Sequence, residues 1–450
     1  MNKYIIKCDY SIKEIMYSKI DNTLIVKVPF LCNDNLNYGI QHVVSKLRCN
    51  SIFPSEIGFD ILSLATIVYM ADTRISREIH GQDSWTREIE LEIPVWNLTK
   101  WTENALLINK MLRFLTGDIW NVTFVKREWV FCDNKNKRVL NNQYDKISLF
   151  SGGMDSLIST INLLTEGNNM LLIGHAGEGL TKKAQTNILA MLKEAYPDLE
   201  QELIDLWLSF RDNYIPEGGN DSNTRSRSFL FIALGIFVIT GTANIKQLLV
   251  PENGFIALNV PLEVTRVGSF STRTTHPFYL ELWNKLLSGL GLDINVYNPY
   301  WNKTKGEMAA ECYNKDVLFD TMKVSFSCSS PGKARWKGKS PQHCGYCVPC
   351  LIRRAAMYKA FGNDGTLYTE LSIKKILRNN DSGIGIQLRS FMYAISKVKA
   401  NPSVAKLYIH KPGPLKHDDK YLNELAEIYK RGLLEIDSFV SAMEKKEDND

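Results

Sequence analysis

The feature that most constrains the fold is a short apolar stretch, residues 147–150, which leads into Ser-Gly-Gly-Met-Asp-Ser and then into helical spacing. A glycine pair between a strand and a helix lets the backbone bend sharply and approach a ligand closely. The first amides of the helix then point outward at the positive end of its dipole, which favours an anion. Because no Gly-Lys-Ser/Thr follows, the segment is not a Walker A loop. A capped glycine turn is the alternative to a phosphate site.

The side chains of this loop extend the prediction to a nucleotide and a magnesium ion. Ser151 and Ser156 offer hydroxyl donors, and Asp155 offers carboxylate oxygens of the kind that Mg²⁺ prefers. The string resembles the pyrophosphate-binding loop (PP-loop) of ATP pyrophosphatases, which holds the leaving pyrophosphate while ATP adenylates a substrate. That resemblance implies ATP and Mg²⁺ as cofactors, bound through Ser151, Gly152, Gly153, Asp155 and Ser156.

A second pattern, the spacing of four cysteines, predicts a metal site. Cys328, Cys344, Cys347 and Cys350 form C-x15-C-x2-C-x2-C. Closely spaced thiolates bind one ion from a tight turn, and a fourth thiolate from a separate loop completes the tetrahedron that structural zinc prefers. Four sulfurs leave no open position for water, so we expect Zn²⁺ to hold the fold rather than to do chemistry. A redox Cys-x-x-Cys pair and a ligand role for His343 are the alternatives.

The composition is that of an ordinary globular protein. The chain has 450 residues, of which 44% are hydrophobic and 23% charged, and its net charge of +5 permits an acidic ligand without demanding nucleic acid. Five scattered cysteines show no disulfide framework, and no signal peptide is evident at the N-terminus, so we expect a cytoplasmic protein. The apolar segment 229–241 is too short to span a membrane and is expected to be a buried helix.

The strand and helix patterns predict three regions. Residues 1–145 are expected to form an N-terminal α+β module, with strands in the stretches 5–10, 23–30, 88–96 and 122–131, helices at 58–71 and 104–115, and a polar linker at 133–145. Residues 146–350 alternate strands with helices, which predicts an α/β fold with a parallel sheet and helices on both faces. Residues 351–450 are expected to be mostly helical. Aromatic and basic residues interleave in the first region, where buried aromatics and solvated charges are favoured over a nucleic-acid surface.

Three polar segments are expected to share one crevice. Residues 151–156, 174–179 and 251–254 each follow a predicted strand. Ligands of parallel sheets bind beyond the carboxyl ends of the strands, so these segments should meet at one edge of the sheet.

With the loop and the cysteine knuckle in one chain, in that order, the sequence resembles the 7-cyano-7-deazaguanine synthases, the QueC family of PP-loop (adenine nucleotide alpha hydrolase-like) proteins. Lys305-Gly306-Glu307 matches the family's Lys-x-Glu element, and Arg353-Arg354 follows the knuckle. The overlap covers residues 146–360. The longer outline, with its N-terminal module and helical tail, resembles the QueC-like branch of bacterial anti-phage loci, the QatC proteins of Qat systems.

The resemblance implies an adenylating enzyme. ATP would activate a 7-carboxy-7-deazaguanine-like carboxylate, and ammonia or an amine of a partner protein from the same defence locus would attack the acyl-adenylate. Asp155, Ser156 and Lys305 are the candidate catalytic residues, with Lys305 at the α-phosphate or, alternatively, a solvated lysine. His175 would lie by the adenine, as a wall of the site or as a base.

Several other side chains are candidates for holding the substrate. Arg225, Arg273 and His276 form, with Arg227, a basic group on segments expected near the crevice, suited to a carboxylate or phosphate. The alternative is that Arg225 and Arg227 merely flank a buried helix. Glu307 would recognise a deazapurine N–H edge or pair with a neighbouring lysine, and the residues do not decide between these.

Two other classes of function remain open from the sequence. One is a nucleic-acid-modifying PP-loop enzyme, against which the mild charge weighs. The other is a catalytically idle ATP-binding scaffold of a defence complex, against which the intact loop aspartate weighs. A membrane partner is not expected.

Overall fold

The computed structural model describes residues 3–32, 35–131, 143–175, 179–208, 210–221, 223–262, 273–379 and 384–449. Some sequence-based predictions fall outside these ranges. They are Cys132, most of the polar linker at 133–145, and residues 176–178 of the segment after the second predicted strand.

The first region contains a sheet of five strands in the order β2-β3-β1-β6-β7 and a two-residue hairpin, β4-β5. The strands are β1 Lys3–Asp9, β2 Met16–Ile20, β3 Thr23–Pro29, β4 Leu31–Cys32, β5 Asn35–Leu36, β6 Glu88–Val95 and β7 Ile119–Lys126. In β1 and β3 alternate residues are buried, as expected of strands with one face on the core.

The pairing in this sheet corrects two expectations. Strands β3, β1, β6 and β7 run parallel to one another, and only β2, which pairs with β3, is antiparallel. The region is therefore an α/β layer with a mainly parallel sheet, rather than the expected α+β module. The fourth strand also ends at Lys126 and not at residue 131, because Arg127 turns inward to bind Asp60 and Glu56.

The second sheet has five parallel strands in the order β10-β9-β8-β11-β12. They are β8 Lys146–Leu149, β9 Met170–His175, β10 Gln201–Leu206, β11 Gln247–Leu249 and β12 Asn295–Tyr297. The chain moves outward from β8 in one direction and then continues on its other side with β11. The carboxyl ends of β8 and β11 therefore form the point at which strand order reverses, where such sheets bind ligands.

Helices connect the strands and make up the C-terminal region. They are α1 Ile40–Cys49, α2 Glu56–Arg74, α3 Arg77–His80, α4 Leu98–Glu103, α5 Ala105–Thr116, α6 Met154–Thr165, α7 Gly179–Ala195, α8 Arg227–Ile239, α9 Gly254–Leu258, α10 Pro277–Gly289, α11 Lys305–Ala310, α12 Lys315–Met322, α13 Val348–Phe361, α14 Ile373–Arg378, α15 Ile386–Ala400, α16 Val404–Tyr408 and α17 Asp419–Asn449. A 3-10 helix covers Pro331–Lys337.

Helices cover both faces of the second sheet. Ile147, Leu149 and Ile173 face a core that includes α8, whereas Met170 and Leu172 face α6 and α7. The alternation follows from the two-residue period of a strand. The mixed α/β architecture, the parallel sheet and the helical C-terminal region are thus as expected.

The hydrophobic core runs across the predicted boundary at residue 145. The apolar helix α8 is buried as expected, and it packs against α2 of the first region. One cluster of buried side chains includes Ile6 and Val26 of the first sheet together with Leu149 and Ile173 of the second. The division into domains stays a prediction, while the core is shared. Among the described residues, every helix is too short or too polar to cross a lipid bilayer.

Candidate functional site

The loop after β8 is shaped by its glycines and serines. Gly152 has φ 78°, a left-handed conformation, and a Cβ atom there would lie 3.2 Å from Gln185. Gly153 is the N-cap of α6, and its amide donates to Ser151 Oγ over 3.2 Å. Ser156 Oγ donates to the carbonyl of Gly153 over 3.1 Å. The serines therefore fix the bend, and the amides that open α6 have no partner within the helix itself.

Asp155 is the point at which three parts of the chain meet. Its side chain lies in the first turn of α6 and is buried. Lys305 Nζ lies 3.0 Å from Asp155 Oδ1. Asn253 donates to Asp155 Oδ2 from its backbone amide at 3.2 Å and from Nδ2 at 2.8 Å. The structure therefore joins Asp155 and Lys305, the two charged residues that the sequence placed in one site.

Lys305 is held by the first turn of α11. Thr304 caps this helix by accepting from the amide of Glu307, and its hydroxyl donates to Glu435 of α17 over 2.6 Å. The amide of Gly306 donates to the same Glu435 carboxylate over 2.8 Å. A Cβ atom at Gly306 would lie 2.5 Å from that carboxylate, so a larger residue would displace the Glu435 side chain. The C-terminal helix thus fixes the turn that carries the lysine.

Glu307 faces away from this meeting point. Its carboxylate accepts from the amide of Thr304 over 2.9 Å and pairs with Arg431 at 2.7 Å, while Lys359 lies at 3.8 Å. Although burial opposes it, the guanidinium of Arg431 holds the pKa of Glu307 below its ordinary value. Two roles were open for Glu307: recognition of a deazapurine N–H edge or pairing with a neighbouring lysine. The structure shows pairing with cations, chiefly with Arg431 rather than a lysine.

Buried polar atoms surround the loop without a hydrogen bond from any described residue. They include Gln185 Oε1, beside Gly152, and His175 Nδ1, at the end of β9. Desolvation and the nearby charge of Arg227 lower the pKa of His175 to about 3. His175 is therefore neutral at ordinary pH and packs edge-on against Tyr69 with ring centroids 5.6 Å apart. Buried polar atoms are normally satisfied, so these atoms mark a place where a ligand or water fits.

Arg225 and Arg273 of the predicted basic group lie near each other, whereas Arg227 donates to the carbonyl of His175 over 3.2 Å. Arg225 donates to the carbonyl of Thr116 over 2.7 Å and lies 4.2 Å from the ring centroid of Trp85. Arg273 donates to the carbonyl of Phe114 over 2.8 Å. Desolvation lowers the pKa of Arg273 to about 10, and the charge of Arg225 adds to this shift. Both guanidinium groups therefore rest on residues of the first region.

His276 and Thr275 connect this group to the loop after β11. His276 is the N-cap of α10, where Nδ1 accepts from the amide of Phe278 over 3.2 Å. Thr275 donates its hydroxyl proton to Glu252, and Asn253, next in the chain, holds Asp155. The role of the basic group in substrate binding stays a prediction. His276 and Arg273 are joined to the loop after β11 through Thr275.

The four cysteines form a buried cluster that fits a metal ion. Their sulfur atoms all lie within 4.8 Å of one another. The separations of Cys328 and Cys347, and of Cys344 and Cys350, are both 3.9 Å. Sulfurs about 2.3 Å from a tetrahedral zinc would lie about 3.8 Å apart, so the spacing suits zinc. The amides of Cys344 and Ser330 donate to Cys328 Sγ over 3.3 and 3.4 Å, which favours a thiolate there.

His343 lies beside the cluster without being needed to complete it. His343 Nδ1 is 3.8 Å from Cys350 Sγ, and Nε2 lies 3.2 Å from the carbonyl of Ser325. The same segment touches the loop, because the amide of Phe326 donates to the carbonyl of Gly152 over 2.9 Å. The knuckle therefore braces the loop after β8 through residues 325–328.

Comparison with known proteins leaves the site to be judged on its geometry. No protein-family model matches the chain, and no curated protein matches it either.

Reasoning from sequence missed three residues of the site. Glu252 and Asn253 lie in a segment that was expected to join the crevice, but neither was given a role. An acid and an amide directly after a strand, at 252–253, were the available signal. Gln185 gave no such signal, because its position beside Gly152 depends on how α7 packs.

Proposed function

We propose that the chain is an ATP-dependent, adenylate-forming enzyme of the QueC-like PP-loop type. One observation carries the proposal. A glycine loop at the reversal point of a parallel sheet holds an aspartate, Asp155, that is clamped by Lys305 and Asn253 from two other segments. The surrounding buried polar atoms support a polar ligand at that place.

In this proposal the chain positions ATP and offsets charge on its phosphates. The first amides of α6, with Ser151 and Ser156, bind the pyrophosphate portion, and Lys305 neutralises the α-phosphate. A substrate carboxylate oxygen attacks the α-phosphorus, and the bond to pyrophosphate breaks. A magnesium ion would neutralise the pyrophosphate as it leaves. Asp155 Oδ1 already pairs with Lys305, and Oδ2 accepts from Asn253. The carboxylate of Asp155 would therefore contact both Lys305 and that ion.

The substrate class follows from the resemblance and the basic group. In this proposal, a planar 7-carboxy-7-deazaguanine-like acid would place its carboxylate toward Arg225, Arg273 and His276. An amine, either ammonia or a group on a partner protein of the same antiviral locus, then displaces AMP. Zinc at the cysteine knuckle would hold residues 325–328 against the loop and take no part in the reaction.

The first prediction concerns Asp155. Replacement Asp155→Ala should abolish acid-dependent release of AMP from ATP, since it frees Lys305 and removes the clamp at the loop. Mass spectrometry would follow AMP and the product in reactions that contain ATP, Mg²⁺, 7-carboxy-7-deazaguanine, and either ammonium or the proteins encoded beside this one. Circular dichroism would verify the fold.

A matched control is Asp316→Ala, because Asp316 is also an acidic residue in the first turn of a helix, α12, but is exposed. It should leave turnover unchanged. Equal turnover by Asp155→Ala and wild type would contradict the proposal. ATP binding without AMP release in every mixture would favour an idle scaffold. Salt-sensitive binding of tRNA or DNA would favour a nucleic-acid-modifying enzyme.

A further inference from the structure

We propose that Glu252 is the group that accepts the proton of the attacking amine, and that the amine reaches it through the cavity beside α10. This inference rests on the proposed function and adds to it the residue that serves its second half-reaction.

The backbone of Glu252 is fixed at the edge of the sheet. Glu252 lies just after β11, the neighbour of β8 on the far side of the strand-order reversal. Its amide donates to Asn298 Oδ1 over 3.3 Å, and its carbonyl accepts from Asn298 Nδ2 over 2.8 Å. The next residue, Asn253, holds Asp155. Glu252 is therefore the sequence neighbour of Asn253, which donates to the loop residue Asp155.

The carboxylate of Glu252 is directed by Thr275, whose hydroxyl donates to Oε2. The charged groups that act on it from neighbouring elements are Asp155 of α6 and Lys305 of α11. Desolvation by burial raises the pKa of Glu252 to about 7, against the hydrogen bond from Thr275, and the charge of Asp155 adds to the rise. A base with a pKa near the working pH is well suited to proton transfer.

A cavity of about 760 Å³ lies next to the residues that hold Glu252. Thr275 and Asn298, which both bond to Glu252, line the cavity, as does Gly254. The remaining walls come from α10, β12 and α17, with Val296 and Tyr421 among their residues. Two hydrogen-bond partners of Glu252 therefore form part of the cavity wall. A small amine in this cavity would be separated from Glu252 by one hydrogen-bond partner, Thr275 or Asn298.

The lone pair of a neutral amine forms a bond to the carbonyl carbon of the acyl-adenylate. The carbon–oxygen bond to AMP breaks, and AMP leaves with that electron pair. One proton passes from the amine nitrogen to the ionised Glu252 carboxylate, which later returns it to solvent. No oxidant or further reactant is required.

The test separates the two half-reactions. Adenylation is measured as acid-dependent exchange of labelled pyrophosphate into ATP, and transfer as amide formation with ammonium, corrected for free ammonia, from pH 6 to 9. Glu252→Gln should keep exchange close to the wild-type rate and lose amide formation by on the order of 10²-fold. Hydroxylamine, a stronger nucleophile, should trap the adenylate with a much smaller loss.

A second variant protects the test against a folding defect. Thr275→Val keeps the carboxylate but removes a hydrogen bond that lowers its pKa, so the pH midpoint of transfer should move upward. The control Glu194→Gln removes an exposed acidic residue of α7, away from this cavity, and should change neither half-reaction. Wild-type transfer by Glu252→Gln, or equal loss of exchange and transfer, would overturn the role of Glu252. Absence of exchange in the wild-type protein would instead overturn the proposed function itself.

Discussion

At the scale of single residues, burial decides the charge state of the candidate site. Desolvation lowers the pKa of His276 to about 3, and the charge of Arg273 adds to the shift. His276 Nε2 is also buried and has no hydrogen bond from a described residue. The imidazole is therefore neutral around pH 7 and serves through Nδ1 as a helix cap. Protonation of His276 at acidic pH therefore destabilises the folded state.

This residue gives a prediction about stability and pH. The folded pKa lies below the unfolded value of about 6.5, so the unfolded chain binds more protons and stability falls as pH drops below about 6.5. Between pH 7 and 5 the cost from His276 should be about 2 kcal/mol. His276→Asn keeps a good N-cap and removes the titration. Urea unfolding at both pH values should give a shallower pH dependence for the variant. Parallel curves would contradict the assignment.

At the scale of elements, the sequence predicted those whose signals are local. The strand–glycine–helix pattern at 147–165 and the apolar run of α8 each carry their own period, and both elements form as expected. Strand β10 was not anticipated, because this edge strand carries Glu202 and Asp205, which pair with Lys46 of α1. Likewise, spacing within 305–307 did not show that Glu307 turns toward Arg431, since α17 lies far along the chain.

The four-cysteine cluster was also predictable, because its residues are close in sequence. The cluster leads to a prediction about the zinc content of the protein. Purified protein should contain about one zinc ion per chain, and Cys347→Ser should lose it, because three thiolates hold zinc less tightly than four. Inductively coupled plasma mass spectrometry would measure the metal, and thermal unfolding the stability.

The control for the knuckle is Cys312→Ser, since Cys312 is buried but lies outside the cluster. This variant should retain its zinc. Because Phe326 joins the knuckle segment to Gly152, removal of zinc by a chelator should also weaken ATP binding. Full zinc content in Cys347→Ser would show that the cluster is not the metal site.

At the scale of the whole molecule, a buried charge network ties the two sheets together. Asp72 of α2 is fully buried and binds Arg77 and Arg87 at 2.6 and 2.7 Å. It also accepts from the amide of Ser226 over 2.7 Å, directly before α8. Asp118 completes the network from the start of β7. Asp72 therefore connects α2, a helix of the first region, to the residue before α8, a helix of the second region. These two helices pack against each other.

Loss of this carboxylate should destabilise the entire fold. Asp72→Asn leaves two buried arginines with less compensating charge, and the expected cost is about 3–5 kcal/mol in the free energy of unfolding. The fluorescence of Trp101 in the first region and Trp283 in the second should report one shared transition. Asp293→Asn, which breaks an exposed pair with Lys246, should have little effect. Two separate transitions would show that the regions fold independently.

The contact between α17 and α11 has a consequence for the timing of synthesis. Gly306 is separated from Glu435 by 129 residues, yet Glu435 completes the turn that carries Lys305. A growing chain on the ribosome therefore makes the glycine loop and the lysine long before it makes the residue that secures the lysine. Until α17 has emerged and docked, the nascent protein has the residues of the candidate site but not their arrangement.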